Sequence, residues 1–259
     1  MPKFAANLTM LFNEVPFMDR FGAAAKAGFK AVEFLFPYAF DIDRIADQLK
    51  TNDLQLVLHN LPAGNWDSGD RGIACHPDRV GEFQDGVGKA IDAAKKLGVK
   101  QLNCMAGKTP EGVSADRLRS TLVSNLQFAA GKLKAAGIRL VTEPINTCDI
   151  PGFYLNRTQQ AIDIIKDTGS ANLFLQYDIY HMQRMEGELA NTIKANLPMI
   201  KHMQLADNPG RFEPGTGEIN YTFLFQFIDE LGYDGWIGLE YKPKTTTLEG
   251  LSWINAHTA

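Results

Sequence analysis

Cysteine is scarce in this 259-residue chain: Cys75, Cys104 and Cys148 form an odd set with no CxxC spacing. That excludes a disulfide framework and a zinc ribbon, and three reduced, partly buried thiols are expected. Long apolar runs are missing as well. No stretch approaches the ~20 residues of a membrane span, and the start MPKFAANLTM has neither the charged opening nor the apolar run of a secretory signal. A cytoplasmic chain with no membrane partner is therefore expected. A basic excess is also absent, with 26 Lys plus Arg against 30 Asp plus Glu and a net charge of −4. This disfavours a nucleic-acid partner held through its phosphates. No GxGxxG follows the first strand-like segment, so no nucleotide cofactor is expected.

What is present is ordinary globular composition, 45% apolar and 22% charged, which excludes disorder, collagen-like repeats and coiled coil. Short apolar segments with strand character recur at 4–9, 31–36, 54–58, 101–105, 139–142, 173–177, 200–205 and 236–239. Helix-like stretches lie between them, such as 16–27, 82–97, 115–136, 158–166 and 221–231. Gly28, Gly98, Gly137 and Gly232 each follow a helix and precede a strand, where a left-handed terminator belongs. Strict alternation implies parallel pairing with right-handed crossovers. The expected fold class is α/β, a (β/α)8 TIM barrel forming one domain over 1–259, with an open doubly wound sheet as the alternative. The 60–77 loop, after the third strand, is long enough to serve as a lid or binding surface.

In such a barrel the active site lies at the carboxyl ends of the strands. Those ends carry His59, Glu143, Asp178, Gln204 and Glu240. Alternation along strands six to eight puts Leu175, Tyr177, Met203, Leu205, Ile237 and Leu239 toward the helices and Gln176, Asp178, His202, Gln204 and Glu240 inward. Inward carboxylates need partners or a cation. Glu143, Asp178, Gln204 and Glu240 form an oxygen-rich set that suits Mg²⁺ or Mn²⁺ better than zinc; the competing reading is salt bridges to Lys242, Lys201 and Arg211. His181, three residues past Asp178, and His59 are candidate hydrogen-bond donors to substrate. Arg211 is a candidate fork for a substrate carboxylate, and Lys108 an alternative to it. The Gly-rich segment 214–220 resembles an anion cradle at a helix amino terminus, which a tight turn explains equally well. No activated Ser or Cys nucleophile is recognisable, and paired glutamates point to proton transfer beside a carbonyl.

The strings FAANLTMLF, AVEFLFPY, HNLPAGNW, GKTP, EPIN, QYDIYHMQRMEGEL, ADNPGR, EPGTGEINY and EYKPKTTTLEGL span nearly the whole chain. In them the chain resembles the sugar isomerase and epimerase branch of the xylose-isomerase-like TIM barrels, and most nearly the hydroxypyruvate isomerase family. The resemblance implies interconversion of hydroxypyruvate and 2-hydroxy-3-oxopropanoate (tartronate semialdehyde) in glyoxylate metabolism, with a small keto or hydroxy acid as substrate. It implies acid/base roles for Glu143 and Glu240, a metal site completed by Asp178 and Gln204, and substrate contacts at His181, Arg211 and Asp149. Related epimerases have histidine where this chain has Gln204, which leaves open whether a divalent metal is obligatory. A 2-oxo-tetronate isomerase or ketose epimerase is the sister alternative. An abasic-site endonuclease on the same barrel would need many histidines, and there are five here, His257 at the tail among them. A homo-oligomer stays open.

Overall fold

The computed structural model describes residues 2–256; Met1 and 257–259, with His257, lie outside the described residues. Eight parallel strands close into a barrel in sequence order: β1 (Lys3–Asn7), β2 (Ala31–Glu33), β3 (Gln55–Asn60), β4 (Gln101–Cys104), β5 (Arg139–Thr142), β6 (Leu173–Asp178), β7 (Ile200–Leu205) and β8 (Trp236–Leu239). Closure comes from β1 pairing with β8, Ala5 opposite Gly238. The α/β barrel expected from strand and helix alternation is the observed fold.

Helices α1 (Phe17–Lys26), α2 (Ile42–Thr51), α3 (Val80–Leu97), α4 (Ala115–Ala135), α5 (Thr158–Thr168), α6 (Ile179–Met185), α7 (Leu189–Asn196) and α8 (Tyr221–Glu230) wrap the sheet. Their starts follow local chemistry: the side chains of Asp41, Ser114, Asp178 and Asn220 accept backbone N–H groups at the first turns of α2, α4, α6 and α8. Gly98, at φ 71°, ends α3 in the left-handed region that a residue with a Cβ enters only at a cost. None of the described helices is long and apolar enough to cross a membrane.

Two cores result. The larger lies between strands and helices and includes Phe21, Leu122, Ile164, Leu175 and Tyr177. The smaller, inside the barrel, is Ala5, Ala31, Val57, Leu58 and Val141, flanked by Phe174 and Trp236. These apolar side chains plug the amino-terminal half of the barrel, and polar groups fill the space above them: Asn7, Glu33, Asn103, Gln176 and Gln204 are all buried. Burying that many polar atoms is tolerable only where they pair with each other or with a ligand.

Candidate active site

At the carboxyl ends of the strands opens a cavity of about 690 Å³ lined by Glu143, His181, Gln204, Arg211 and Glu240 among others. Asp178 lies just behind this wall, 1% exposed. It ends β6 and at once caps α6, its Oδ1 accepting the His181 N–H at 2.9 Å. With no loop between strand and helix, the first helical turn lays the imidazole beside the strand end. His181 Nε2 is 3.9 Å from both Asp178 Oδ2 and Glu143 Oε1. Gln204 neighbours Asp178 in register across β6 and β7. Glu240, just past β8, is fixed through its backbone N–H to Leu205 O at 3.1 Å.

Three carboxylates thus share one buried space, and their proton affinities respond. Burial, with repulsion from Glu240 and Asp178, raises Glu143 well above its ordinary range. Burial raises Asp178 and pushes Glu240 up to about 8, while Arg211 opposes both shifts. Arg211 Nη2 lies 3.6 Å from Glu240 Oε1 and Nη1 lies 3.8 Å from Asp149 Oδ2. Burial, aided by the Arg211 charge, drives His181 well below 6.5, so the imidazole is neutral. Glu143 Oε2 accepts from Asn103 Nδ2 at 3.2 Å, whereas its Oε1 is buried with no hydrogen-bond partner. Such an orphaned carboxylate oxygen is the mark of a ligand site. Glu143, Asp178 and His181 each offer one ligand atom within 4.8 Å of the others, a buried group able to hold a metal ion.

Of the salt-bridge partners weighed from sequence, Arg211 alone meets these carboxylates; Lys201 stacks over Phe174 far below, 5.5 Å from the ring centroid. Asp149 is held by Arg184, by Asn146 Nδ2 at 3.2 Å and by Tyr180 OH at 2.9 Å. Two of the expected substrate-contact residues are not on the cavity wall. His59 does not line the cavity. In β3 it is Leu58 and Asn60 that point inward, and the His59 ring lies parallel to Phe34 at 6.4 Å, where burial lowers it to about 4. Lys108 is outside too, four residues past β4, its carbonyl accepting from His76 Nε2 at 2.8 Å. The supposed anion cradle in 214–220 is already filled: Asp207 accepts the N–H groups of Gly215, Gly217 and Ile219 at 2.9–3.1 Å.

The residue that sequence reasoning missed is Glu33. Fully buried inside the barrel, it accepts from Asn7 Nδ2 at 2.9 Å and Gln204 Nε2 at 2.6 Å, and lies 2.6 Å from His202 Nε2. Its strand has three residues, too few to show alternation. The 60–77 loop contributes Trp66 and Arg71 to the cavity wall, with the Arg71 guanidinium 4.0 Å above the Trp66 ring. It is pinned, since Asp70 accepts from Asn65 N at 2.6 Å and pairs with Arg79 at 2.9 Å.

Comparison with known proteins agrees with this architecture. The family model described as xylose isomerase-like TIM barrel matches residues 21–257. Hydroxypyruvate isomerase of Escherichia coli (strain K12) is 54% identical over 99% of this chain and 100% of its own length. The 2-oxo-tetronate isomerase of Cupriavidus necator is 45% identical over 99% of both. A crystal structure from Brucella melitensis, described as an AP endonuclease of family 2, superposes with a TM-score of 0.97 at 43% identity and 99% coverage of both chains. The 3-keto-D-glucoside 4-epimerase of Escherichia coli, at 18% identity and a TM-score of 0.82 over 99% of both chains, shares the fold. The chain belongs to the xylose isomerase-like TIM barrel family and, within it, to the group of hydroxypyruvate and 2-oxo-tetronate isomerases.

Proposed function

We propose that this chain, acting as one barrel domain in the cytoplasm, interconverts hydroxypyruvate and 2-hydroxy-3-oxopropanoate by proton transfer through an enediol, a step of glyoxylate metabolism. The observation that carries the reading is the convergence of Glu143 and Glu240 on one cavity, both with proton affinity raised by burial, Glu240 to about 8. A carboxylate tuned that way both takes a proton from carbon and returns it. One glutamate removes a C3 proton; the C–H electrons become the C2=C3 bond as the C2 carbonyl oxygen gains a proton. Collapse to the aldehyde then releases the C3 hydroxyl proton, and a glutamate delivers a proton to C2.

His181 supports this as a neutral donor. Asn146 Nδ2 lies 2.6 Å from His181 Nδ1, which therefore accepts and leaves the ring proton on Nε2, facing the carboxylates. That tautomer suits donation to an enediolate oxygen and opposes use of Nε2 as a metal ligand. The proposed ligands of a divalent cation, Mg²⁺ or Mn²⁺, are accordingly the oxygens of Glu143, Asp178, Gln204 and Glu240. When bound, such a cation supplies Lewis-acid polarisation of the substrate's carbonyl and hydroxyl. Arg211 is already neutralised by Glu240 and Asp149, so the substrate carboxylate falls to Arg71 and Lys242 on the cavity wall, for which no carboxylate partner is found among the described residues.

Glu143→Gln and Glu240→Gln, assayed for turnover of hydroxypyruvate and for solvent deuterium entering C2 or C3, test the reading. Loss of both signals in each variant is expected, and substantial turnover in both would discard it. Parallel kinetics with a four-carbon 2-oxo acid rank the sister activity. The Brucella description raises a nuclease as a second reading; nicking of abasic DNA by the purified protein would establish it. A net charge of −4 and a single three-residue ligand group among the described residues argue the other way.

A further inference from the structure

Gln204 poses a problem that a histidine at the same position would not: an amide has a donor end and an acceptor end of nearly equal shape, and only the oxygen can ligate a cation. The buried contacts around it show how the ambiguity is removed. Gln204 Nε2 donates to Glu33 Oε1 at 2.6 Å, and Gln204 Oε1 accepts from Gln176 Nε2 at 2.5 Å. Gln176 Oε1, at the far end of this pair, is left buried without a partner. Polarity thus runs in one direction from Glu33 through the amides of Gln204 and Gln176. A carboxylate only accepts, so an amide that faces Glu33 must present its NH2 group. If Gln204 were reversed, its oxygen would face the Glu33 carboxylate and its NH2 would face that of Gln176.

We infer that Glu33 is a positioning residue, set beneath the site to lock the Gln204 amide with its oxygen turned away from Glu33 and available to the cavity. The inference deepens the proposed function and rests on its assignment of Gln204 as an oxygen ligand. The barrel is built to make room for Glu33: a Cβ at Gly238, on the opposite side of the closure, would lie 2.2 Å from Glu33 Oε1. The side-chain hydrogen-bond partners of Glu33 are Asn7, His202 and Gln204, so it touches neither glutamate of the proposed acid/base pair, although its charge adds to the raising of Glu240.

The experiment titrates Mn²⁺ into metal-free protein, read by electron paramagnetic resonance, for wild type, Glu33→Gln, Gly238→Ala and the exchange variant Glu33→Gln/Gln204→Glu. Glu33→Gln removes the acceptor-only anchor and should weaken Mn²⁺ binding by about 10- to 100-fold, the usual effect of losing a partner behind a metal ligand. Gly238→Ala should do the same by displacing an unaltered Glu33. The exchange variant should recover affinity, because a carboxylate at position 204 presents oxygen in either orientation while the amide now at position 33 donates to it. Wild-type affinity in Glu33→Gln, or an exchange variant no better than Glu33→Gln, overturns the inference. Hydrogen exchange of the 15N-labelled glutamine side-chain amides, without metal, is the second readout. If wild type binds no Mn²⁺, the ligand assignment of Gln204 fails, and the amides decide about Glu33: unchanged protection of Gln204 and Gln176 in Glu33→Gln overturns its locking role too.

Discussion

Asn146 and His181 form a side-chain pair at 2.6 Å that decides which ring nitrogen of the histidine carries hydrogen. The asparagine is not free to turn over, because its Oδ1 accepts the Asp149 N–H at 2.7 Å. Asn146→Asp replaces the donor by an acceptor of the same shape, so hydrogen moves to Nδ1 and Nε2 loses its ability to donate. Turnover should fall by about 10²–10⁴-fold, the scale of a mis-set tautomer in a proton-transfer site, with the melting temperature little changed. Unaltered turnover in this variant would remove His181 from the reaction.

Burial of Glu143, Asp178 and Glu240 has a measurable effect on stability. Each is raised relative to the unfolded chain, Glu240 to about 8, so the native state holds protons that the unfolded state releases. Their contribution is fully present below the unfolded carboxylate value and is lost as pH rises through the folded values. The depressed histidines, His181 and His59, act with opposite sign and only below about pH 6.5. Between pH 6.5 and 8 the carboxylates therefore govern, and the melting temperature of metal-free protein should decline. Glu240→Gln should flatten that decline, and added Mg²⁺ should raise the melting temperature more at pH 8 than at 6.5. A flat wild-type profile measured by calorimetry would contradict the burial argument.

The strands and the carboxylates at their ends are legible in the sequence because both follow from alternation: Asp178, Gln204 and Glu240 share parity with buried polar neighbours and not with Leu175, Met203 or Leu239. Glu143 needs only the end of its strand. His59 misleads for the same physical reason that the others succeed. It too stands at a strand end, yet its parity is outward, and Asn60 is the inward neighbour that lines the cavity. Register between β2 and β3 shifts at Val32/Glu33, an irregularity that no local pattern announces. Glu33 is invisible for a different reason. Its role depends on Gln204 and His202, about 170 positions away, and on the missing side chain at Gly238.

Asp207 shows how a backbone cradle can serve the chain itself. Its carboxylate accepts the N–H groups of Asn208, Gly215, Gly217 and Ile219, which ties the loop after β7 to the start of α8. Its backbone carbonyl receives the N–H of Arg211 at 2.9 Å, and Arg211 sits at φ 56°, a strained value held by this packing. Asp207→Ala should cost about 1–3 kcal/mol, as the buried Ile219 amide and three part-buried ones lose their shared acceptor, and should lower turnover by releasing Arg211 from Glu240. Chemical denaturation alongside kinetics checks both; a variant as stable as wild type would show that the loop holds its shape without the carboxylate.

Arg71 and Lys242 are the cations on the cavity wall left to meet a substrate carboxylate. Arg71 is half-buried and held in place, donating to the carbonyls of Trp66 at 3.0 Å and Asp70 at 2.6 Å with its plane over the Trp66 ring. Those bonds use Nη1 and leave Nε and Nη2 without a partner among the described residues, on a side chain that lines the cavity, a preorganised donor whose ordering cost falls on folding and not on binding. Lys242 is exposed and follows Glu240 by two residues, its backbone N–H bonded to Arg211 O at 2.8 Å. A charge-assisted hydrogen bond contributes about 1.5–3 kcal/mol, so Arg71→Gln should raise KM for hydroxypyruvate by about 10- to 100-fold with kcat changed far less. Lys242→Gln, at a wetter position, should act in the same direction with a smaller effect. Neither variant should impair binding of a neutral three-carbon ketose, since that ligand has no carboxylate to lose; equal weakening of acid and neutral ligands would assign these cations to shaping the cavity instead.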